Sequence, residues 1–221
     1  FSTPAEFKNG NASIAVRNSK DVILWSWHIW CAEEGWNDHI YANNAGTMMD
    51  RNLGATSATP GDIGAFGLMY QWGRKDPFVG PTTYDFDLND DHTMTNYNGS
   101  YAYINYVEST SSEGTLQWAS DNPLSIIKGY KENDYDWLYN SHDNTLWSAT
   151  TKTINDPCPR GWRIPDGAVF TAFDIAEDED AAPSADVNNM YGCHLVDATT
   201  GTKMFMPGAG RRSFETGILT N

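Results

Sequence analysis

The chain has 221 residues, with 29 acidic and 14 basic side chains and a formal net charge of −15 at pH 7. This charge repels the phosphate backbone of nucleic acids and the headgroups of anionic lipids, so we expect neither as a partner. Apolar residues make up 40% of the chain and aromatic residues 13%, which is ample for a globular core. No stretch approaches the ~20 consecutive apolar residues that span a bilayer, so direct membrane insertion is not expected.

Charged residues are sparse at 19%, whereas Asn, Thr, Ser, Gly, Trp and Tyr are abundant. This balance is typical of secreted β-rich domains. Cys31, Cys158 and Cys193 permit one disulfide and one free thiol, and the sequence does not choose among the three pairings. The chain opens on Phe1 without a methionine, which indicates a processed or truncated piece of a longer protein.

Residues 12–16 and 22–30 are rich in β-formers, and the turn formers at 18–21 between them predict a hairpin. Alternation in the second strand predicts that one face is core. The two faces carry Ile23, Trp25, Trp27 and Ile29 on one side and Ser26 and His28 on the other. A histidine in such a strand is expected to be a hydrogen-bonded sheet residue rather than a ligand or catalytic base.

Two further segments in the first third of the chain hint at chemistry. Asp50 and Arg51 are adjacent, but no second carboxylate or nucleophile lies beside them in sequence, so we expect a buried structural ion pair or a network of bonds to the backbone. Gly61, Gly64 and Gly67 do not match the spacing of a dinucleotide-binding loop, and no Gly-Lys-Ser/Thr follows them. Nucleotide binding is therefore not expected.

Residues 79–125 are predicted to form a long surface loop that contains short strands such as 101–107. Within it, Asp85, Asp87 and Asn89 place oxygen donors at alternate positions, as many calcium loops do at their start. The EF-hand pattern then fails, because Asp90 stands where glycine is required. Calcium is a possible cofactor here, and a solvated acidic loop is the alternative.

Aromatic side chains lie among acidic and amide side chains between residues 130 and 147. Aromatic rings can cover the apolar faces of sugars while neighbouring polar groups bond the hydroxyls. The candidate ligand-binding residues are Tyr135, Trp137, Tyr139 and Asp143. Packing of most of these rings in the core is the alternative.

The segment 156–166 contains three prolines, a glycine, a cysteine and a tryptophan, which predict a rigid, half-buried turn feeding a short strand. Asp166 is a possible N-cap for a short helix that carries Phe170 and Phe173. Residues 191–196 and 203–206 predict a second pair of strands. No catalytic template has this layout.

Several blocks resemble one known family when they are taken in order. They are Phe1-Ser2-Thr3-Pro4, Leu24-Trp25-Ser26-Trp27-His28-Ile29-Trp30, Met49-Asp50-Arg51-Asn52-Leu53-Gly54-Ala55-Thr56, Tyr70-Gln71-Trp72-Gly73-Arg74-Lys75-Asp76-Pro77-Phe78 and Cys158-Pro159-Arg160-Gly161-Trp162-Arg163-Ile164-Pro165. Together they resemble the C-terminal part of fimbrillin-family surface proteins of the Bacteroides type. The last two blocks also resemble the Fibrobacter major paralogous domain.

The resemblance implies an α+β, C-type-lectin-like fold with short antiparallel strands, one or two short helices and long loops. Residues 1–221 would form a single lectin-like domain of a longer surface protein, and the family's glycine-, tyrosine- and tryptophan-rich C-terminal segment would be missing after Asn221. The implied location is extracellular, at the bacterial outer membrane or fimbrium. Such domains are also distantly similar to formylglycine-generating enzymes, but Cys193 has no partner cysteine after Cys158, so that chemistry is not expected.

The sequence therefore favours a non-catalytic binding module, an adhesin or pilus-tip domain that recognises a glycan or a surface protein. A structural pilus subunit that pairs with neighbouring chains through its sheet edges is the alternative. A glycan hydrolase needs two carboxylates ~5–10 Å apart in a cleft. The chain has many acidic residues, so the sequence does not exclude a hydrolase. We expect that the protein is not an enzyme.

Overall fold

The computed structural model describes residues 8–33, 35–42, 46–82, 93–96, 98–139, 141–172, 174–176, 190 and 192–220. This part of the chain is rich in short strands and poor in helix, which confirms the α+β class. The strands are β1 (Gly10–Arg17), β2 (Ile23–Cys31), β3 (Asp38–Ile40), β4 (Thr47–Met49), β5 (Leu68–Tyr70), β6 (Pro77–Val79), β7 (Thr93–Thr95), β8 (Tyr101–Tyr103), β9 (Asn105–Val107), β10 (Ser125–Ile127), β11 (Asp174–Ala176), β12 (Gly192–Val196), β13 (Lys203–Pro207), β14 (Arg211–Arg212) and β15 (Leu219–Thr220). Helix α1 is Leu116–Asp121, and short 3-10 helices occur at Ile63–Ala65, Lys131–Asn133 and Gly167–Ala172.

The strands associate in small sheets. Antiparallel pairs join β1 to β2, β3 to β4, β5 to β6, β7 to β8 and β14 to β15, and β11, β12 and β13 form a three-stranded sheet. Strands β9 and β10 are parallel, and α1 lies between them in sequence. A parallel pair needs such a crossover, because two parallel strands cannot be joined by a tight turn.

The predicted N-terminal hairpin is confirmed, since β1 and β2 pair from Gly10 opposite Cys31 to Arg17 opposite Ile23. Its turn is held by Asn18, whose side-chain Oδ1 accepts hydrogen bonds from the backbone N–H groups of Lys20 and Val22. Asparagine favours turns because its short side chain can bond the backbone two residues further on.

The face of β2 that turns toward the protein is the polar one. Ser26 is 2% exposed, whereas Trp27 and Ile29 on the opposite face are 48% and 41% exposed. His28 lies between Asn11 and Tyr70, with its Nε2 2.8 Å from Asn11 Oδ1 and its Nδ1 3.2 Å from the Tyr70 hydroxyl. The expectation that it is a hydrogen-bonded sheet residue is confirmed.

The core is divided among several clusters, and β10 lies between two of them. Ile127 is fully buried with Trp137 and Leu138, while its neighbour Ile126 packs with Phe78. Both faces of β10 are therefore covered, as is usual for a strand in a parallel pair.

Arg74 connects the β5–β6 turn to β10 and α1. It is 3% exposed and donates to Gln71 Oε1 and the Ser125 carbonyl oxygen at 2.7 Å, and to the Ala119 carbonyl oxygen at 3.2 Å. Burial lowers the pKa of its guanidinium to about 10. Its position lets one side chain order three separate segments, since a planar guanidinium offers several donors.

The adjacent acid and base Asp50 and Arg51 form the ion pair that the sequence predicts. The Asp50 Oδ1 and Arg51 Nε atoms are 2.7 Å apart, and both side chains are 5% exposed. Asn37 also donates to the Asp50 carboxylate, at 3.1 Å. The pair is structural, because it lies in the interior with its oxygens already bonded.

Segment 156–166 forms a loop, so the predicted short strand is wrong. The loop is organised by Asp156, whose Oδ1 accepts from Cys158 N at 2.8 Å and Lys152 Nζ at 3.0 Å, and whose Oδ2 accepts from Ile164 N at 3.0 Å. A buried carboxylate that accepts from the backbone N–H groups of Cys158 and Ile164 folds the segment back on itself, which disfavours an extended strand. The short helix predicted after Asp166 is present as the 3-10 helix Gly167–Ala172, and Asp166 Oδ1 accepts from Ala168 N at 2.9 Å. Phe173 lies outside the described residues.

The three cysteines do not form a disulfide. Cys31, Cys158 and Cys193 are all free thiols, so the disulfide that three cysteines permit is not formed. Burial, together with Asp156, raises the pKa of the Cys158 thiol to about 12.

The second predicted strand pair is confirmed as β12 and β13. No helix among the described residues is long and apolar enough to cross a membrane.

Candidate functional site

A cleft of about 630 Å³ lies between the end of β5, the loop that follows β10 and the start of the C-terminal hairpin β14–β15. We call it the aromatic cleft and define it by the six lining residues on which the argument rests: Trp72, Tyr135, Asp136, Trp137, His142 and Phe214. Its size is in the range of small-molecule sites in proteins, ~300–1,000 Å³.

Three aromatic rings are exposed around the aromatic cleft. Trp72 is 46% exposed, Tyr135 39% and Phe214 48%. The Tyr135 and Phe214 rings contact each other with their centroids 4.6 Å apart, and Trp72 packs its ring edge-on against Trp147 at 4.7 Å. The rings are therefore held by neighbours and still present surface to solvent.

Trp137 supports the cleft from below. It is 5% exposed and belongs to the core cluster of Ile127, while its indole N–H donates to the Trp72 carbonyl oxygen at 2.7 Å. Because Trp137 holds the backbone of Trp72, its ring sets the position of an exposed ring. It is not itself placed to cover a sugar face at the surface.

The backbone at Tyr135 is strained. Asp134 and Tyr135 both have positive φ, at 50° and 61°. Residues other than glycine rarely adopt a positive φ. Two such residues in succession persist only where the surrounding structure holds the backbone in place. Here Tyr135 N donates to the Tyr130 carbonyl oxygen at 3.0 Å, and Asp136 N to the Asn133 carbonyl oxygen at 2.9 Å.

Gly129 permits the close approach of this strained segment. A Cβ on Gly129 would lie 2.9 Å from the carbonyl carbon of Tyr135 and would fall on its carbonyl oxygen. The N–H of Gly129 donates to the Phe214 carbonyl oxygen at 2.7 Å. One glycine thus joins the two chain segments that carry the Tyr135 and Phe214 rings.

The polar side of the cleft is formed by Asp136 and His142. His142 Nδ1 lies 2.5 Å from Asp136 Oδ2, and its Nε2 lies 2.8 Å from Asn144 Oδ1. The hydrogen bond to Asp136, followed by that to Asn144, raises the pKa of His142 above its ordinary value. The hydrogen-bonded pair of His142 and Asp136 therefore faces the ligand space.

The structure brings two of the four sequence-predicted ligand residues into the cleft. Tyr135 and Trp137 line it, whereas Tyr139 packs its ring on Tyr130 at 4.7 Å outside the lining. Asp143 uses its Oδ1 to accept from the backbone N–H and the hydroxyl of Thr145 at 2.8 and 2.6 Å. Asp143 therefore orders its own turn.

The predicted calcium ligands Asp85, Asp87 and Asn89 lie outside the described residues. Among the residues that are described, no group of three or more His, Cys, Asp or Glu side chains is placed to hold a metal ion.

Sequence reasoning missed two of the three exposed rings. Trp72 follows Gln71 at the end of a short apolar run, and nothing in that sequence indicates that its side chain is exposed. Phe214 stands alone between Ser213 and Glu215, and an isolated aromatic in a polar segment is the signal that could have identified it. Neither residue is near Tyr135 in sequence.

A second polar cluster contains residue types that serve in catalysis elsewhere. Ser26 Oγ lies 2.5 Å from both Lys75 Nζ and Asp76 Oδ1, and Lys75 and Asp76 are themselves 2.7 Å apart. However, Ser26 is only 2% exposed. A nucleophile must reach a substrate carbonyl, so this buried arrangement serves packing, with the serine hydroxyl satisfying an internal ion pair.

The fold and the site together define a strand-rich α+β protein with a cleft walled by exposed aromatic rings. Comparisons with protein-family models, with curated proteins and with solved structures gave no match.

Proposed function

We propose that this protein is a non-catalytic carbohydrate-binding module that is displayed outside the cell, at the bacterial surface, as an adhesin or pilus-tip domain. The observation that carries the proposal is the set of three exposed rings, Trp72, Tyr135 and Phe214, around one cleft. Sugar rings have apolar faces of C–H groups that pack on aromatic faces, and carboxylate and imidazole groups beside them bond the hydroxyls.

The low charge content and the abundance of Asn, Ser, Thr and Tyr support an extracellular location for this module. The motif resemblance to fimbrillin-family surface proteins points the same way. It also suggests that the α+β arrangement is a C-type-lectin-like domain spanning residues 1–221, within a longer surface protein. The short strands and the single described α-helix support the α+β part of this proposal.

Binding to an immobilised glycan array and to gastric mucin tests the proposal. Trp72→Ala, Tyr135→Ala and Phe214→Ala are each expected to weaken binding about two- to tenfold, since an aromatic contact is worth ~0.5–1.5 kcal/mol beyond its buried area. Tyr101→Ala is the matched control, because Tyr101 is 66% exposed and does not line the cleft.

The outcome that contradicts the proposal is binding that Tyr101→Ala reduces as much as the three cleft variants do. Failure of the unmodified chain to bind any saccharide on the array or mucin would also overturn it. Release of reducing sugar from a bound glycan would replace the binding module with a hydrolase.

A structural pilus or surface-assembly subunit is the second candidate, and the N-terminal hairpin favours it. Strand β1 exposes seven of its eight residues, and no other strand in the described part of the chain pairs with its outer edge. On one face of the hairpin, Ile14, Val16, Trp27 and Ile29 are 38–48% exposed. A long edge strand with an apolar face is a template for pairing with another chain.

The state of the protein in assembled filaments separates the two functions. Protection of the β1 amides from hydrogen exchange in filaments, and its loss in the isolated chain, would favour the structural subunit. Filament assembly that is unaffected by Ile14→Lys would count against it, because a lysine on the apolar face disfavours strand pairing.

A further inference from the structure

Asp136 lies at the centre of the loop that carries Tyr135. Its side chain is 10% exposed, and each carboxylate oxygen is used: Oδ1 accepts from Leu138 N at 3.0 Å, and Oδ2 lies 2.5 Å from His142 Nδ1. Its backbone carbonyl oxygen accepts from Tyr130 N at 2.8 Å. Asp136 therefore ties both ends of the loop together, and Tyr135 is the residue directly before it.

His142 is placed between two oxygen atoms, Asp136 Oδ2 and Asn144 Oδ1. An imidazole donates through both ring nitrogens only when it is protonated. The arrangement thus favours the cation. The His142 side chain is 57% exposed, so it can exchange its proton with solvent without any opening of the protein.

Negative charge predominates close to His142. The charged groups that adjoin it or line the same cleft are Asp134, Asp136, Asp143, Arg211 and Arg212. The carboxylates belong to the same loop as His142, whereas both arginines lie across the cleft on β14. Arg212 is engaged there, because it donates to the carbonyl oxygens of Val79 and Gly217.

We propose that Asp136 positions Tyr135 for ligand binding and that protonated His142 holds Asp136 in place. The inference rests on the carbohydrate-binding function proposed above and adds a pH dependence to it. Loss of the His142 proton removes one of the two hydrogen bonds that the ring donates, together with the attraction to Asp136. The neutral ring can still donate to Asp136, but without the charge it holds Asp136 less firmly, and the interaction that opposes the strain of the two positive-φ residues is weakened.

The consequence for the ligand is a lower population of the binding-competent loop. Tyr135 contacts Phe214 in this strained backbone conformation, and an apparent affinity falls in proportion to the fraction of molecules that are competent to bind. An exposed ion pair contributes little, so we expect an affinity about two- to fivefold weaker at about pH 8.5 than at about pH 5.5.

Two measurements on the full chain test this inference. The first, made without ligand, is the hydrogen-exchange protection factor of the Tyr135 and Asp136 amides by NMR at the two pH values. The second is the affinity for immobilised gastric mucin at the same pH values. The variants are His142→Gln, which is neutral throughout, and Asp136→Asn, which keeps an acceptor for Leu138 N but removes the charge. His39→Gln is the control, since His39 lies on β3 away from the cleft.

We expect the protection factors of the unmodified chain and of His39→Gln to fall several-fold from the lower to the higher pH. The protection factors of His142→Gln and Asp136→Asn should stay near the lower value at both pH values. Protection factors that do not change with pH, or a His142→Gln profile identical to that of the unmodified chain, would overturn the inference. If the amides respond as expected but mucin and the glycan array show no binding, the positioning of Tyr135 stands and the carbohydrate-binding function fails.

Discussion

Replacement of Gly129 by alanine tests whether the approach of two chain segments builds the aromatic cleft. The added Cβ would lie 2.9 and 3.0 Å from the carbonyl carbon and Cα of Tyr135, whereas ordinary contact begins at 3.4 Å. The obstacle is backbone, so no side chain can rotate away to make room. Overpacking of this kind costs ~1–3 kcal/mol, which for a chain of this length lowers the melting temperature by about 2–12 °C.

Gly167→Ala is the matched control for this change. No atom lies within 4 Å of a Cβ at Gly167, and its backbone does not have the positive φ that favours glycine. Alanine there should leave stability unchanged or raise it slightly, because it reduces the freedom of the unfolded chain. Thermal unfolding followed by circular dichroism compares the two variants. Equal melting temperatures for Gly129→Ala and Gly167→Ala would refute the reasoning.

Three further predictions concern groups in the interior. Asp76→Ala is expected to lower the free energy of unfolding, measured in urea, by ~3–5 kcal/mol. The change leaves the ammonium group of Lys75, whose side chain is 11% exposed, without its carboxylate partner. A loss below ~1 kcal/mol would contradict this prediction. Burial lowers the pKa of His28 to about 4, so acid favours the unfolded state, and stability should decline as the pH falls from 6.5 toward 4. His28→Gln should flatten that slope in urea titrations at several pH values, and parallel slopes would disprove the assignment. The Cys158 thiol, with a pKa of about 12, should resist iodoacetamide at about pH 8 until denaturant is added, and rapid labelling of the native chain would argue against its burial.

Local features of the fold could be predicted because they depend on near neighbours. The β1–β2 hairpin follows from two runs of β-formers around a turn, and the Asn18 side chain that bonds the turn is four residues from its furthest partner. The cap at Asp166 acts over two residues. The strand predicted within 156–166 is wrong because Asp156 reaches across the loop to the backbone N–H of Ile164, eight residues away, a contact that the composition of the segment does not reveal.

The candidate site could be predicted only in part. The aromatic-polar pattern of residues 130–147 located Tyr135 and Trp137, but it could not tell which ring is exposed. Trp137 is buried because it packs with Ile127 in the core, and its N–H bonds the carbonyl oxygen of Trp72, a residue 65 positions away. Tyr139 has the same kind of sequence neighbours as Tyr135 and yet packs outside the cleft.

The sequence by itself determined the acidic, aromatic-rich composition, the short strands and the turns between them, because charge, periodicity and turn chemistry are properties of residues close together in the chain. Only the tertiary structure decided which face of β2 is buried and which rings surround the cleft. Trp72, Tyr135 and Phe214 come from three distant segments, and they meet because Gly129 lets two backbones approach and Trp137 anchors a third. The burial of Trp137 and the grouping of the three rings around one cleft depend on such long-range contacts, which lie outside any local sequence pattern.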